Sequence, residues 1–108
     1  FRRAYTAGVR LVLGTDAGTP YNRHGDNARE MALMVKLGAD PLDALRAGTR
    51  NSAELLGKLD EIGTIEAGKL ADLVLCRGDV LADIGRLCSP DNIRLVVQGG
   101  RIVRDGSA

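Results

Sequence analysis

The stretch GVRLVLGTDAGTP, residues 8–20, constrains this chain more than any other. Val9–Leu13 is short, β-prone and nearly all apolar, with Arg10 its single polar residue. Such a run suits a strand buried on both faces, as in a parallel sheet. Parallel strands need crossover connections, usually helical, between them. Val9–Leu13 has no visible parallel partner in the chain, so the sheet that would bury it is expected in a longer parent protein or in another copy. The first residue is Phe1 rather than Met, which is also what a piece of something longer would show.

The segments around this run have clear local signals. FRRAYTAG reads as the last turns of a helix stopped by Gly8. GTDAGTPYNRHGDN is a loop by its Gly, Pro, Asn and Asp content. At about 14 residues it is long for a plain connection, and long loops are more often functional. Asn27 with Glu30 predicts a capping box, and Met31, Met34, Val35 and Leu37 supply an apolar stripe that ends at Gly38. Asp40 is placed to cap the next helix, with Pro41 at its first position and Asp43 in its first turn. Asn51 with Glu54 reads as a third helix start, stopped at Gly57.

Beyond residue 60 the character changes. ADLVLC reads as a strand. IRLVVQGGRIVRDG reads as a hairpin, because a Gly99-Gly100 pair suits a two-residue primed turn. GDVLADIGRLCSPDN between them is a loop with one helical turn. The chain therefore reads as one strand, then helices, then a small antiparallel sheet.

Composition excludes several classes of function. With 15 basic and 14 acidic residues the net charge is +1, which gives no basic face for nucleic acid. Phe1, Tyr5 and Tyr21 are the only aromatics, too few for a base-stacking platform. No apolar stretch approaches the ~20 residues of a membrane-spanning helix. No signal peptide is visible, and a cytoplasmic setting is expected, although a chain that starts at Phe1 says little about its parent's leader. Cys76 and Cys88 do not make a disulfide framework, and read as free, buried, small apolar residues.

The chemistry concentrates in the loop after Leu13. A carboxylate at the C-terminal end of a parallel strand, as Asp16 would be, stands where α/β folds build their sites. Asp16 can bind a divalent metal or act as a general base. It can equally close an Asx-turn through its own side chain. His24, the single histidine, lies in the same loop and can face a ligand or simply solvent. Asp16, His24 and Asp26 match no metal-binding spacing, and zinc wants three or four ligands. GTDAG lacks the spacing and the lysine of phosphate-binding loops. Glu66, Lys69 and Asp72 read as solvated or turn residues.

Taken together, LVLGTDAGTP, HGDNAREMALMVKLGADPLDALRAGTRNSAELLG, GTIEAGKLADLVLC and IRLVVQGGRIVRDG resemble the C-terminal part of a metal-dependent amidohydrolase. The likeness covers nearly the whole chain, and within that superfamily it is to the imidazolonepropionase-like and Xaa-Pro dipeptidase-like branch. It implies an α/β fold: a C-terminal fragment of a (β/α)8 barrel, its last strand plus helices, in residues 1–60. Residues 61–108 would then be part of an adjoining small β-sandwich. It implies that Asp16 follows the eighth barrel strand, binds zinc, and accepts the proton of the water that zinc activates. Tyr21 and His24 would lie in the active-site loop and touch substrate. The family's histidine pair, bridging lysine and two later histidines would lie on earlier strands, and none stands here. The expected function is thus the C-terminal portion of a zinc-dependent hydrolase of C–N bonds, inactive as this chain alone and acting in its parent on a small-molecule or dipeptide-like substrate. Dipeptide, carbamate, lactam and deaminase chemistry all stay open. The alternative is a non-catalytic, self-associating module. Exposed strand edges predict a homo-oligomer in either case.

Overall fold

The structure is a computed structural model that describes residues 1–106; the last two residues of the 61–108 region lie outside them. Helix α1, Arg2–Thr6, ends where Gly8 turns to φ +77°. The apolar run Val9–Leu13 follows. Expected as a strand, it has no strand beside it among the described residues. It is fastened to helices instead: the Leu13 amide donates to Ala47 O at 3.0 Å, and Asn51 Nδ2 donates to Leu11 O at 3.0 Å. Arg10 reaches Glu54 at 2.6 Å. A strand exists by pairing, so a run without a neighbour keeps its apolar pattern but forms no ladder.

Three helices follow the long loop: α2, Ala28–Lys36, α3, Pro41–Gly48, and α4, Arg50–Leu55. Asp40 caps α3 as expected, accepting from the Leu42 amide at 2.8 Å with Pro41 next in line. The capping box expected of Asn27 and Glu30 does not form. Asn27 already has helical dihedrals, φ −64° and ψ −31°, whereas a capping side chain works from an extended residue. Asn51 does not start α4 either. The helix begins after Thr49, which frees the Asn51 side chain to hold Leu11.

The core of this region is Met34, Ala39, Ala44 and Ala47, with Tyr5, Leu11, Leu13, Met31 and Val35 packed against it. Alanines at the contact let α2 and α3 approach closely. Tyr5 closes one side: its hydroxyl donates to Asp43 Oδ2 at 2.8 Å and accepts from the Asp40 amide at 3.0 Å. The Asp40 amide favours the phenolate, but the Asp43 hydrogen bond, burial and the two negative charges outweigh it, so the phenol titrates above its usual range.

Residues 61–106 carry a three-stranded antiparallel sheet in the order β1–β2–β3: β1, Leu73–Cys76, β2, Ile93–Gln98, and β3, Arg101–Asp105. Val74 faces Val96 and Val97 faces Ile102, with a register shift in each pairing. The β2–β3 turn is the one expected at Gly99-Gly100. Both glycines have positive φ, +54° and +79°, as a primed two-residue turn demands. Asp72 fastens it by accepting from the Gly99 amide at 2.7 Å. Between β1 and β2 run two short 3-10 turns, Ile84–Cys88 and Pro90–Asn92, with Ile84 buried. The chain is thus α/β, helices first and a small sheet last.

Two side chains sit differently from expectation. Cys76 and Cys88 are free thiols, but half-buried rather than buried. Burial pushes the Cys88 thiol above its usual range, with Asp26 adding to the effect. Lys69, expected to be a solvated or turn residue, is a turn residue with little solvent: its side chain is 12% exposed and pairs with Glu66 at 2.8 Å.

Candidate functional site

Asp16 stands just past the fastened run, where the chain leaves the helical core. Its backbone is left-handed, φ +51°, which few residues other than glycine adopt. Its carboxylate is exposed, and no hydrogen bond or ion pair to it forms among the described residues. The Asx-turn considered for this residue is therefore not made. The Asp16 carbonyl takes part instead, accepting from Thr19 Oγ1 at 2.9 Å.

The loop is closed by its own bonds. The Gly18 amide donates to Asn22 O at 2.9 Å and the Asn22 amide to Thr19 O at 3.1 Å. Asn22 Nδ2 donates to Thr15 O, the carbonyl directly before Asp16. Gly18, at φ +98°, lies against the His24 ring: a Cβ there would stand 3.1 Å from Nε2. The fold thus brings His24 back beside the turn that carries Asp16. Tyr21, at φ +68°, stands on the rim with its side chain fully exposed. Asp26 lies further along and pairs with Arg29 at 3.9 Å.

Asn22 was not distinguished in the sequence from the other polar residues of the loop. The available signal is general: asparagine side chains bond to nearby backbone in irregular segments. Two clefts, each of about 550–570 Å³, lie elsewhere, and neither is lined by Asp16, Tyr21 or His24. One opens beside Tyr5, Asp43 and Asn51, the other beside Arg50, Glu66 and Lys69.

The donor set decides how far this chain can hold a metal. Among the described residues no group of three or more His, Cys, Asp or Glu side chains could bind one. A zinc site takes three or four ligands. Asp16, with an unpaired exposed carboxylate, can supply one such ligand and no more.

The amidohydrolase family profile matches residues 1–103, and the chain belongs to that family. It is 45% identical over 102 residues to an imidazolonepropionase of Aromatoleum aromaticum, covering 93% of this chain and 24% of that one. It is 36% identical over 109 residues to a 5-methylthioadenosine/S-adenosylhomocysteine deaminase of Desulforudis audaxviator, covering 92% and 24%. Its structure superposes on that of a Xaa-Pro dipeptidase with bound methionine in the active site, with TM-score 0.87 and 38% identity over 95% of this chain and 24% of that one. The chain thus spans about a quarter of the length of these relatives.

Proposed function

We propose that this chain is the C-terminal portion of a zinc-dependent amidohydrolase that cleaves C–N bonds of small, amide-like or dipeptide-like substrates. In this reading residues 1–60 form the end of a (β/α)8 barrel, with Val9–Leu13 as its last strand, and residues 61–108 contribute to a small β-sandwich. The carrying observation is Asp16: an exposed carboxylate, free of partners among the described residues, on a fixed turn at the end of an apolar run. Family membership and the hydrolases among its relatives support the same reading.

Zinc, when bound, supplies the acidity that makes water a nucleophile near neutral pH. Asp16 would supply one ligand oxygen to the zinc, and its carboxylate would hold the proton given up by water and hand it to the leaving nitrogen. His24 and Tyr21 flank the turn and contact the substrate. Free thiols at Cys76 and Cys88 accord with a cytoplasmic setting. The open strand edges and exposed sheet favour self-association; a monodisperse 11.4 kDa species in light scattering would sink that part.

The test is Asp16→Asn in the complete, zinc-loaded natural protein. Loss of the general base is expected to lower kcat by about 10²–10⁴-fold. Loss of a ligand is expected to weaken zinc in a chelator competition. Wild-type kcat and zinc affinity in this variant would overturn the reading.

A further inference from the structure

We propose that Asn22 is a positioning residue for Asp16, gripping the loop so that the Cα–Cβ bond carrying the carboxylate points one way. The inference rests on the reading of Asp16 as ligand and proton acceptor. The carboxylate itself has no partner among the described residues, so nothing bonded to its oxygens aims it. What the fold fixes is the direction of its Cα–Cβ bond, and that comes from the backbone. The two peptide planes flanking a Cα set φ and ψ and with them the direction of Cβ. Both planes around Asp16 are held. Asn22 Nδ2 grips the carbonyl of Thr15 on one side. Thr19 Oγ1 grips the carbonyl of Asp16 on the other, at 2.9 Å.

Asn22 also organises the second grip. Its own amide binds Thr19 O at 3.1 Å, and its carbonyl accepts from the Gly18 amide at 2.9 Å. One half-buried side chain and its backbone therefore join Thr15, Gly18 and Thr19, three of the residues around Asp16. A left-handed aspartate persists only where its surroundings over-determine it. Gly18, pinned by the same residue, leaves the space in which the His24 ring lies. Asn22 touches no reacting atom. It acts through the turn.

The decisive comparison uses Asn22→Asp and Asn22→Ala beside Asp16→Asn, all in the complete zinc-loaded protein. Aspartate keeps the size of asparagine but cannot donate to Thr15 O. Supporting residues of this kind are worth about 10–100-fold in metal affinity or activity. Both Asn22 variants are expected to lose that much in zinc affinity, measured by chelator competition, and in kcat. KM, and the melting temperature of the zinc-free protein, are expected to stay at wild-type values, a split that a merely structural residue would not produce. Should neither variant accumulate folded, Thr19→Val removes the other grip with Asn22 in place, and about a tenfold fall in both quantities is expected at that end of the same range. Wild-type zinc affinity and kcat in a folded Asn22→Asp, or in Thr19→Val where it stands in, would overturn the positioning role while leaving Asp16 defective in its own variant. Wild-type behaviour of Asp16→Asn would instead overturn the reading on which the inference rests, and the inference with it.

Discussion

Residues 1–60 and residues 61–106 handle their apolar side chains in opposite ways. In the helical region Met34, Ala39, Ala44 and Ala47 are buried, and Leu11 and Leu13 lie over them. In the sheet region no residue of β1 or β3 is buried, and Val74, Leu75, Ile102 and Val103 are each more than half exposed. Backbone pairing and a two-glycine turn are enough to draw the sheet. They do not give it a layer to pack on, and a sheet normally buries at least one face against another element. The helical region has an inside of its own. In the sheet only the middle strand, β2, is half-buried, from Ile93 to Val97, while its two neighbours stay largely exposed.

The sharpest way to break this comparison is to truncate one side chain in each region. Met34, 8% exposed, is the largest residue of the helical core, and Met34→Ala is expected to cost about 2–5 kcal/mol in a denaturant melt. Val74, 59% exposed, has little to lose, and Val74→Ala is expected to stay within about 0.5 kcal/mol. A Val74 cost approaching that of Met34 would mean that this face is covered in solution.

The same division governs what could be read from residues alone. The Gly99-Gly100 hairpin, the Asp40 cap and the Gly38 stop were legible because each is decided within a few positions. The helix caps assigned to Asn27 and Asn51 were not, because asparagine serves caps, turns and long-range ties equally well. Asn51 was drawn to Leu11, forty residues away, by a contact that no local rule contains. The apolar run Val9–Leu13 is plain in the sequence, yet it pairs with no strand among the described residues and forms no ladder there. Asp16 was legible as a carboxylate at the end of an apolar run. The grip of Asn22 on Thr15 was not, since it depends on how the loop folds back. Of the two readings open for Lys69, solvated or turn residue, the structure has the second, with Thr64 and Glu66 brought onto its ammonium group.

A smaller effect is expected where the two regions meet. Gly63, at φ +93°, packs on α4: a Cβ there would stand 2.5 Å from Ala53 Cβ and 3.2 Å from Thr49 O. Neither atom is the end of a flexible side chain, so backbone would have to move. Gly57 has a similar conformation, φ +67°, with open space around it. Gly57→Ala is expected to cost about 1 kcal/mol for the left-handed backbone alone. Gly63→Ala is expected to add about 1–3 kcal/mol of overpacking to that. Equal costs for the two in thermal unfolding would show that the seam is loose and that the regions are joined by little more than the chain.

The smallest effect belongs to the cluster just beyond the seam. The Lys69 hydrogen bond, then that from Thr64, then the Lys69 charge hold the Glu66 carboxyl below its ordinary value of 4.5. A depressed carboxylate stabilises the fold at pH above its unfolded value, and that contribution is lost as pH falls through the folded value. The folded value lies below 4.5, so the loss falls on the acid side of it. Because Glu66 is largely exposed, water and salt screen the pair and the contribution is small. Lys69 changes the consequence of removing it. With 12% of its side chain exposed, Lys69 would be left in a confined place with Thr64 Oγ1, at 2.5 Å, as the remaining partner. Glu66→Gln is therefore expected to lower stability modestly near neutral pH and to converge on the wild type as both are acidified. Melting temperatures from about pH 7 down to about pH 3, across the ordinary carboxylate range, would follow this convergence. Parallel curves over the whole range would mean that Glu66 carries no linked proton and that Lys69 is held in place by the fold around it.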